Sequence, residues 1–376
     1  MPDSYAPLLS VDLGAILANY NLLARRALPA ICGAAMKADA YGLGAAMIAP
    51  LLKRAGCSHF FVATVDEGLA LRQILLPGVK IYLLGGLPPG SERDIAAADL
   101  IPILNTMDEI ARWRAFQRGP GAQDSARRQA GLHLDTGLNR LGLDRAGLLR
   151  LVADPHLLDN CHIGLVLSHL ACADDPEHPM NRVQLMAFRE MLAALKLPRR
   201  QGQAPLVSLT ASSGIFLGAD YHFDLVRPGA ALYGVNPVLG TENPLAPALR
   251  LQAKILQLRE VDLDMTVGYG ASHQVRGPTR IATIGVGYAD GIFRSLGNHG
   301  WVVVAGQRAP IVGRISMDLM TIDVGHLPPE AAAPGTLVDL IGPLQSIDQL
   351  AGDAGTIGYE ILTNLGARFQ RRYSGG

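Results

Sequence analysis

The chain has 376 residues, 49% of them hydrophobic, and its 33 basic side chains are balanced by 33 acidic ones. No overall field favours nucleic acid or an anionic membrane surface, and the length admits two domains or one large barrel with an appendage, at about 150 residues per domain. No apolar run approaches the ~20 residues of a membrane span, and MPDSYAPLLSVDLGAI has no basic start, apolar core of signal length or small-residue cleavage site, so a cytoplasmic protein is expected.

From residue 11 to about 235, short apolar runs alternate with segments of helical periodicity. Strand-like runs fall near 31–37, 59–64, 79–84, 100–103, 130–135, 161–167, 206–210 and 223–226. Between them, AAMIAPLLKRAG (45–56), DEGLALRQILL (66–76), TMDEIARWRAFQRG (106–119) and PMNRVQLMAFREMLAAL (179–195) read as helices. Eight such units predict a (β/α)8 TIM barrel over residues 1–235, with an open doubly wound sheet as the alternative. NPVLGTENPLAP (236–247), rich in proline and glycine, marks a boundary. Residues 236–376 then read as mostly β, with runs such as LQAKILQLREV and RIATIGVGYA, and helices nearly vanish until TIGYEILTNLG. The predicted class is α/β followed by β, and the first ~10 residues are free to pack with the β domain. Cys32, Cys57, Cys161 and Cys172 lack metal-ligand spacing, so no metal site is expected and the thiols read as free and buried.

The chemistry begins at AAMKADAYGLG (34–44), where Lys37 closes the first predicted strand just before a tyrosine-glycine turn. The C-terminal mouth of a barrel strand is where sites are built, and lysine carries aldehyde cofactors as Schiff bases. Other unusual polar residues gather on the same predicted rim: Asp135, Thr136, Asn139 and Arg140 after the fifth strand, SHLACADD after the sixth, TASSG after the seventh, and Arg227 with Pro228 and Gly229 after the eighth. Ser212, Ser213, Gly214, Gly229 and Ala230 suit an anion, since the last two loops of such barrels commonly hold phosphate. A lysine opposite a phosphate cradle points to pyridoxal phosphate.

Taken together, AAMKADAYGLG, DTGLNRLG, SHLACADD, FDLVRPGAALYG, VGYGASH, GVGYADGIFR, GRISMD and TIGYEI resemble, in order and over nearly the whole chain, the motifs of the bacterial alanine racemase family. The resemblance implies a homodimer with active sites at the subunit interface, pyridoxal 5'-phosphate as cofactor, alanine as substrate and D-alanine for peptidoglycan as the product's use. It assigns Lys37 as cofactor lysine and base for the D-enantiomer. Tyr269 of the partner subunit becomes the base for the L-enantiomer, with His169 and Arg227 behind it and Arg227 facing the cofactor's ring nitrogen. By the same match Tyr41, Ser212, Gly229, Ala230 and Tyr359 hold the phosphate, Arg140 lies beside the phenolic oxygen, and Arg140 and the Met317 backbone receive the substrate carboxylate. Tyr269 and Tyr359 narrow the entrance; Asp174, Arg294, Arg314 and Ile357 form a more distant constriction, and Asp318 supports it. Two positions depart from the family pattern: His133 stands where many members carry a carbamylated lysine that props Arg140, and Ala211 stands for the usual asparagine. Ala211 keeps open a broader racemase, acting on serine or other amino acids. Decarboxylases of the same two-domain plan carry a β-domain cysteine, and this chain has none after Cys172.

Overall fold

The computed structural model describes residues 6–119, 128–195, 197 and 204–376. They form two compact units: Leu17–Leu232 with Pro237–Leu245, and the residues through Ile16 with Tyr233–Asn236 and Ala246–Gly376.

The first unit is a parallel barrel. Its strands are Ile31–Cys32 continued by Ala34–Ala35, then His59–Val62, Lys80–Leu83, Leu100–Leu104, Ala130–His133, Ile163–Leu167, Leu206–Ser208 and Leu225–Val226. Seven of these form one continuous sheet from Ala34–Ala35 to Leu206–Ser208. The eighth closes the ring by pairing in parallel with Ile31–Cys32, while Asp224 and Arg227 donate backbone N–H groups to the Val207 and Thr210 carbonyls of the seventh. Gly33 interrupts the first strand because the second passes too close for a side chain: a Cβ there would lie 2.8 Å from the His59 carbonyl oxygen. The strands are nearly all buried on both sides, as parallel strands must be when helices cover them. Phe61 and Tyr82 stack at 4.7 Å among them.

In the second unit the long strand Leu249–Val261 is the hub, pairing with Leu8–Asp12, Thr279–Ile284 and Leu337–Ile341. Leu8–Asp12 also runs parallel to the C-terminal strand Gln370–Ser374. A helix that the sequence reading passed over, Ile347–Ala354, stands here; Ser346 and Gln349 form its capping box. Among the described residues no helix is long and apolar enough to cross a membrane.

Past the last ladder bond of each barrel strand the chain must find other partners for its amides. Glu109, at the third position of helix Met107–Arg118, meets this need for two loops: its Oε1 accepts from Leu87 N–H at 3.2 Å, and its Oε2 accepts from Asn105 N–H. Both donating residues are buried. Glu109→Ala should cost about 2–6 kcal/mol of unfolding free energy, since each of the two stranded buried amides costs about 1–3 kcal/mol. Glu109→Gln should cost roughly half as much, and urea unfolding of the two variants beside the parent checks the order.

Candidate active site

Lys37 opens a turn of unusual hand. Ala38, Asp39, Ala40 and Tyr41 have φ of 51°, 52°, 55° and 58°, and Gly42 follows at 80°. A run of four non-glycine residues in the left-handed region costs about 1–2 kcal/mol each, so tertiary bonds must hold it. Met36 N–H donates to the Phe61 carbonyl at 2.7 Å before the turn, and Ala45 N–H donates to Asp39 Oδ1 at 2.7 Å after it. Within it, Ala38 N–H donates to Glu67 Oε1 at 2.7 Å. Lys37 Nζ lies 5.9 Å from the centroid of the Tyr41 ring. Burial and then the Arg140 charge push the Lys37 pKa down, against an opposing pull from Glu67. The net shift is downward, toward the neutral amine that attacks an aldehyde.

Across the mouth, Arg227 is buried. Its guanidinium donates to Ser208 Oγ and, at 2.7 Å, to the Ser168 carbonyl, and lies 3.4 Å from His169 Nδ1. These partners are neutral, and burial lowers the Arg227 pKa to about 10, which leaves it protonated at neutral pH. An arginine N–H can only donate, so His169 presents its lone pair at Nδ1. Burial, then Arg227 and Arg140, hold the His169 pKa down at about 3.

Beside the Lys37 turn, Ser212 Oγ accepts from the N–H groups of Gly229 at 3.0 Å and Ala231 at 3.2 Å. Its own proton is left to donate. A Cβ at residue 229 would lie 2.9 Å from Tyr41 Cζ and overlap its hydroxyl, so glycine is required for Tyr41 to close on this loop. Ser212, Tyr41, Gly229 and Ala230 thus come together, with Tyr41 on the turn that carries Lys37.

His133, at the end of the fifth strand, is buried. Its Nδ1 is 2.8 Å from Asn105 Oδ1, and Asn105 Nδ2 donates to the Ile103 carbonyl, so His133 carries its proton on Nδ1. Burial and then the Arg227 charge lower its pKa to about 4. It therefore supplies no negative charge to Arg140, which is exposed on the loop after the fifth strand. Ala211 forms an isolated bridge with Arg227. Asp174, also in this unit, is exposed, and its carbonyl accepts from Leu239 N–H.

The second unit carries the remaining residues. Tyr269 begins a short 3-10 turn and is 72% exposed. A Cβ at the neighbouring Gly270 would lie 3.1 Å from an Arg314 guanidinium nitrogen, so Arg314 packs on the tyrosine turn. Met317 is exposed and its carbonyl accepts from Ala289 N–H. Asp318 receives Arg368 at 2.6 Å, and the buried Asp290 anchors the same arginine at 2.7 Å. Arg294 is exposed at the start of a 3-10 turn; Ile357 is the exposed N-cap of helix Gly358–Asn364, which holds the half-buried Tyr359.

Supporting residues outside the motif argument are Glu67, Asn105, Ser208, Gln184 and Arg368. Glu67 had a readable signal, since Thr64 and Glu67 form a capping box. Gln184 had none: it is wholly buried on helix Met180–Ala194, where its Oε1 accepts from Ala171 N–H and its Nε2 donates to the His169 carbonyl and to Thr136 Oγ1.

Residues 11–237 match the family model of the alanine racemase N-terminal domain, and residues 248–373 match that of the C-terminal domain. The chain belongs to the alanine racemase family. It is 47% identical over 379 residues to an alanine racemase of Rhodospirillum rubrum, covering 99% of this chain and 97% of that protein. It is also 47% identical to a catabolic alanine racemase of Mesorhizobium japonicum, covering 98% of this chain and 93% of that one. The crystal structure of the alanine racemase of Bartonella henselae, with covalently bound pyridoxal phosphate, superposes at a TM-score of 0.92 with 42% identity, covering 98% of this chain and 99% of that one. Racemases of this family are isomerases, and the donors around Ser212 and Tyr41, next to a lysine biased toward its neutral form, fit a phosphorylated aldehyde.

The buried His133 gives the barrel a defined acid sensitivity. Its folded pKa of about 4 lies below the ordinary 6.5, so the unfolded chain binds a proton over that interval and the folded one does not. Its stabilising contribution is complete above pH 6.5 and is lost as pH falls toward 4. Between pH 6.5 and pH 5 this histidine should account for about 2 kcal/mol of lost stability. His133→Gln should flatten the slope of urea-unfolding free energy against pH over that range, and NMR should place the His133 titration near 4; a midpoint above 6 would contradict the assignment.

Proposed function

We propose that this protein interconverts L-alanine and D-alanine with pyridoxal 5'-phosphate held at Lys37. The observation that carries the reading is the coincidence, on one left-handed turn, of a lysine driven toward its neutral form and a tyrosine closing on the Ser212 and Gly229 cradle. When bound, the cofactor takes up the electron pair left on the α-carbon after its proton is removed. Lys37, Tyr41, Ser212, Gly229, Ala230 and Tyr359 are assigned to holding it, with Arg140 beside its phenolic oxygen and His169 and Arg227 beside its ring.

Inversion at a planar carbon needs a proton acceptor and donor on each face. Lys37 Nζ serves the face of the D-enantiomer. Tyr269 is assigned to the opposite face, supplied by a second copy of the chain in a homodimer, and its 72% exposure within its own chain suits a residue handed to a partner. A phenol near its usual pKa of roughly 10 is a poor base, and Arg227, charged and bonded to neutral groups, with His169 as its neutral neighbour, is placed to favour the phenolate. Because Arg227 donates and cannot accept, it leaves the ring nitrogen facing it without a removable proton, which restrains the electron sink and favours return of the proton to the α-carbon. Arg140 and the Met317 backbone receive the substrate carboxylate, and Asp174, Arg294, Arg314, Ile357 and Tyr359 with Tyr269 line the access route. The product serves peptidoglycan in a cytoplasmic setting. A broader amino-acid racemase is the second reading, favoured by the small Ala211 beside Arg227.

The purified protein should show the visible band of a lysine-bound pyridoxal and convert L-alanine to D-alanine, and Lys37→Ala should remove both. Tyr269→Phe should keep the band while racemisation falls about 10²–10⁴-fold, the range for losing one acid/base group. Exchange of the α-proton of D-alanine with deuterated solvent should survive that substitution. Serine turning over as fast as alanine would move the weight to the second reading.

A further inference from the structure

We propose that Glu67 is the positioning residue for Lys37, holding the left-handed turn that follows the lysine against the end of the second barrel strand. The inference rests on the reading that Lys37 carries the cofactor. Glu67 stands at the third position of helix Val65–Leu75 and completes a capping box with Thr64. A capping box requires only the bond between its carboxylate and the N-cap amide; here Oε2 accepts from Thr64 N–H at 3.3 Å and also from Ala63 N–H at 2.7 Å. The other oxygen is turned outward, away from its own helix, and accepts from Ala38 N–H at 2.7 Å. Ala38 is the residue directly after Lys37 and the first of the four with positive φ.

One carboxylate therefore joins the loop after the first strand to the loop after the second. The bonds internal to the turn, such as Gly42 N–H to the Ala38 carbonyl at 2.7 Å, fix its shape. The Glu67 bond fixes where that shape sits, and so where the lysine side chain starts. The same carboxylate contributes a negative charge beside Lys37, opposing the Arg140 charge and burial. Arg140, Glu67, the neutral His169 and the Tyr41 ring are the titratable groups near the amine.

The test uses the holoenzyme and its Glu67→Gln, Glu67→Asp, Thr64→Ala and Lys37→Ala variants. Cofactor is stripped with hydroxylamine, pyridoxal phosphate is added back, and the return of the visible band is followed across pH alongside kcat, KM and the melting temperature. Glutamine has one accepting oxygen and turns an N–H₂ toward an amide that also donates, so Glu67→Gln should slow the band's return and lower kcat in both directions by about 10²-fold, the cost of roughly 1 Å of misplacement. KM should change little. Loss of the carboxylate should also move the pH dependence of uptake to lower pH, since Lys37 becomes neutral more readily. Glu67→Asp, one methylene short of Ala38, should fall between, and it carries the test if the glutamine variant does not fold. Thr64→Ala disturbs the same cap without touching Ala38, and should lower the melting temperature while leaving uptake and its pH dependence as in the parent.

Glu67 variants that behave like Thr64→Ala, less stable but with parental uptake kinetics and pH dependence, would overturn the proposal and reduce Glu67 to a helix cap. The Lys37→Ala arm reads the underlying assignment separately: a band that returns in that variant would show that another residue carries the cofactor, whatever the Glu67 variants do.

Discussion

The amides at the C-terminal ends of the barrel strands are the constraint on which the site depends. Each strand stops pairing at the rim, where its next N–H groups, on residues from the buried Asn105 to the exposed Ala38, need acceptors. The chain meets this with side chains that bridge neighbouring loops. Glu67 joins the loops after the first and second strands, and Glu109 those after the third and fourth. Gln184 joins the fifth and sixth through Thr136, His169 and Ala171, and Ser212 joins the seventh and eighth through Gly229 and Ala231. Two of the pairs are then linked by His133 to Asn105, and Arg227 reaches back from the eighth loop to Ser168 in the sixth. A rim made of independent loops would let each site residue drift by itself. A rim cross-braced in pairs moves as a unit, which is what sub-ångström placement of reacting groups demands.

The electrostatics of the mouth follow from what is absent around Arg227. Its hydrogen-bond partners are a hydroxyl, carbonyls and a neutral imidazole. A carboxylate would have neutralised it; instead its charge acts on the two histidines and that of Arg140 on both histidines and on Lys37. Burial first, and then these charges, keep the histidines neutral and lower the lysine's pKa. Positive charge of this kind suits an anionic ligand, and the nearby carboxylates, Glu67 at Lys37 and Asp135 at His133, oppose it without reversing the shifts. His133 leaves that balance unchanged: its single proton is committed to Asn105, and it neither adds a cation nor supplies an anion.

The place of Lys37 was legible because an apolar run that ends in lysine before Tyr-Gly marks a strand mouth in one dimension, and the structure sets Lys37 just past strand Ala34–Ala35. The barrel was legible from alternating periodicity, although the eighth strand is only two residues long and the first is split at Gly33. The bracing was mostly hidden. In MNRVQLMAFREM the glutamine falls where an outward-facing residue would be expected, yet Gln184 is wholly buried because three loop groups converge on it from outside the helix. Helix Ile347–Ala354 is short and follows a run of strands, so its apolar spacing was outweighed even though Ser346 and Gln349 announce its start.

The left-handed turn could not have been read at all, since nothing in Ala-Asp-Ala-Tyr prefers positive φ and only Gly42 is at ease there. Its four strained residues cost about 4–8 kcal/mol together. Against this stand two amide bonds to charged acceptors, Ala38 to Glu67 and Ala45 to Asp39, and four to carbonyls, Ala40 to Met36, Gly42 to Ala38, Leu43 to Ala40 and Gly44 to Asp39. At about 1.5–3 kcal/mol for each charged bond and 0.5–1.5 for each neutral one, these contribute about 5–12 kcal/mol. The two ranges overlap, so the turn depends on these bonds for its shape. Glycines at 38 and 40 would relieve the strain, but they would also free the backbone on both sides of Asp39 and loosen the link between Lys37 and Tyr41. A strained alanine turn held from outside is stiffer than a relaxed glycine turn. That stiffness lets one short segment present both the Lys37 amine and the Tyr41 hydroxyl that closes on the Gly229 loop.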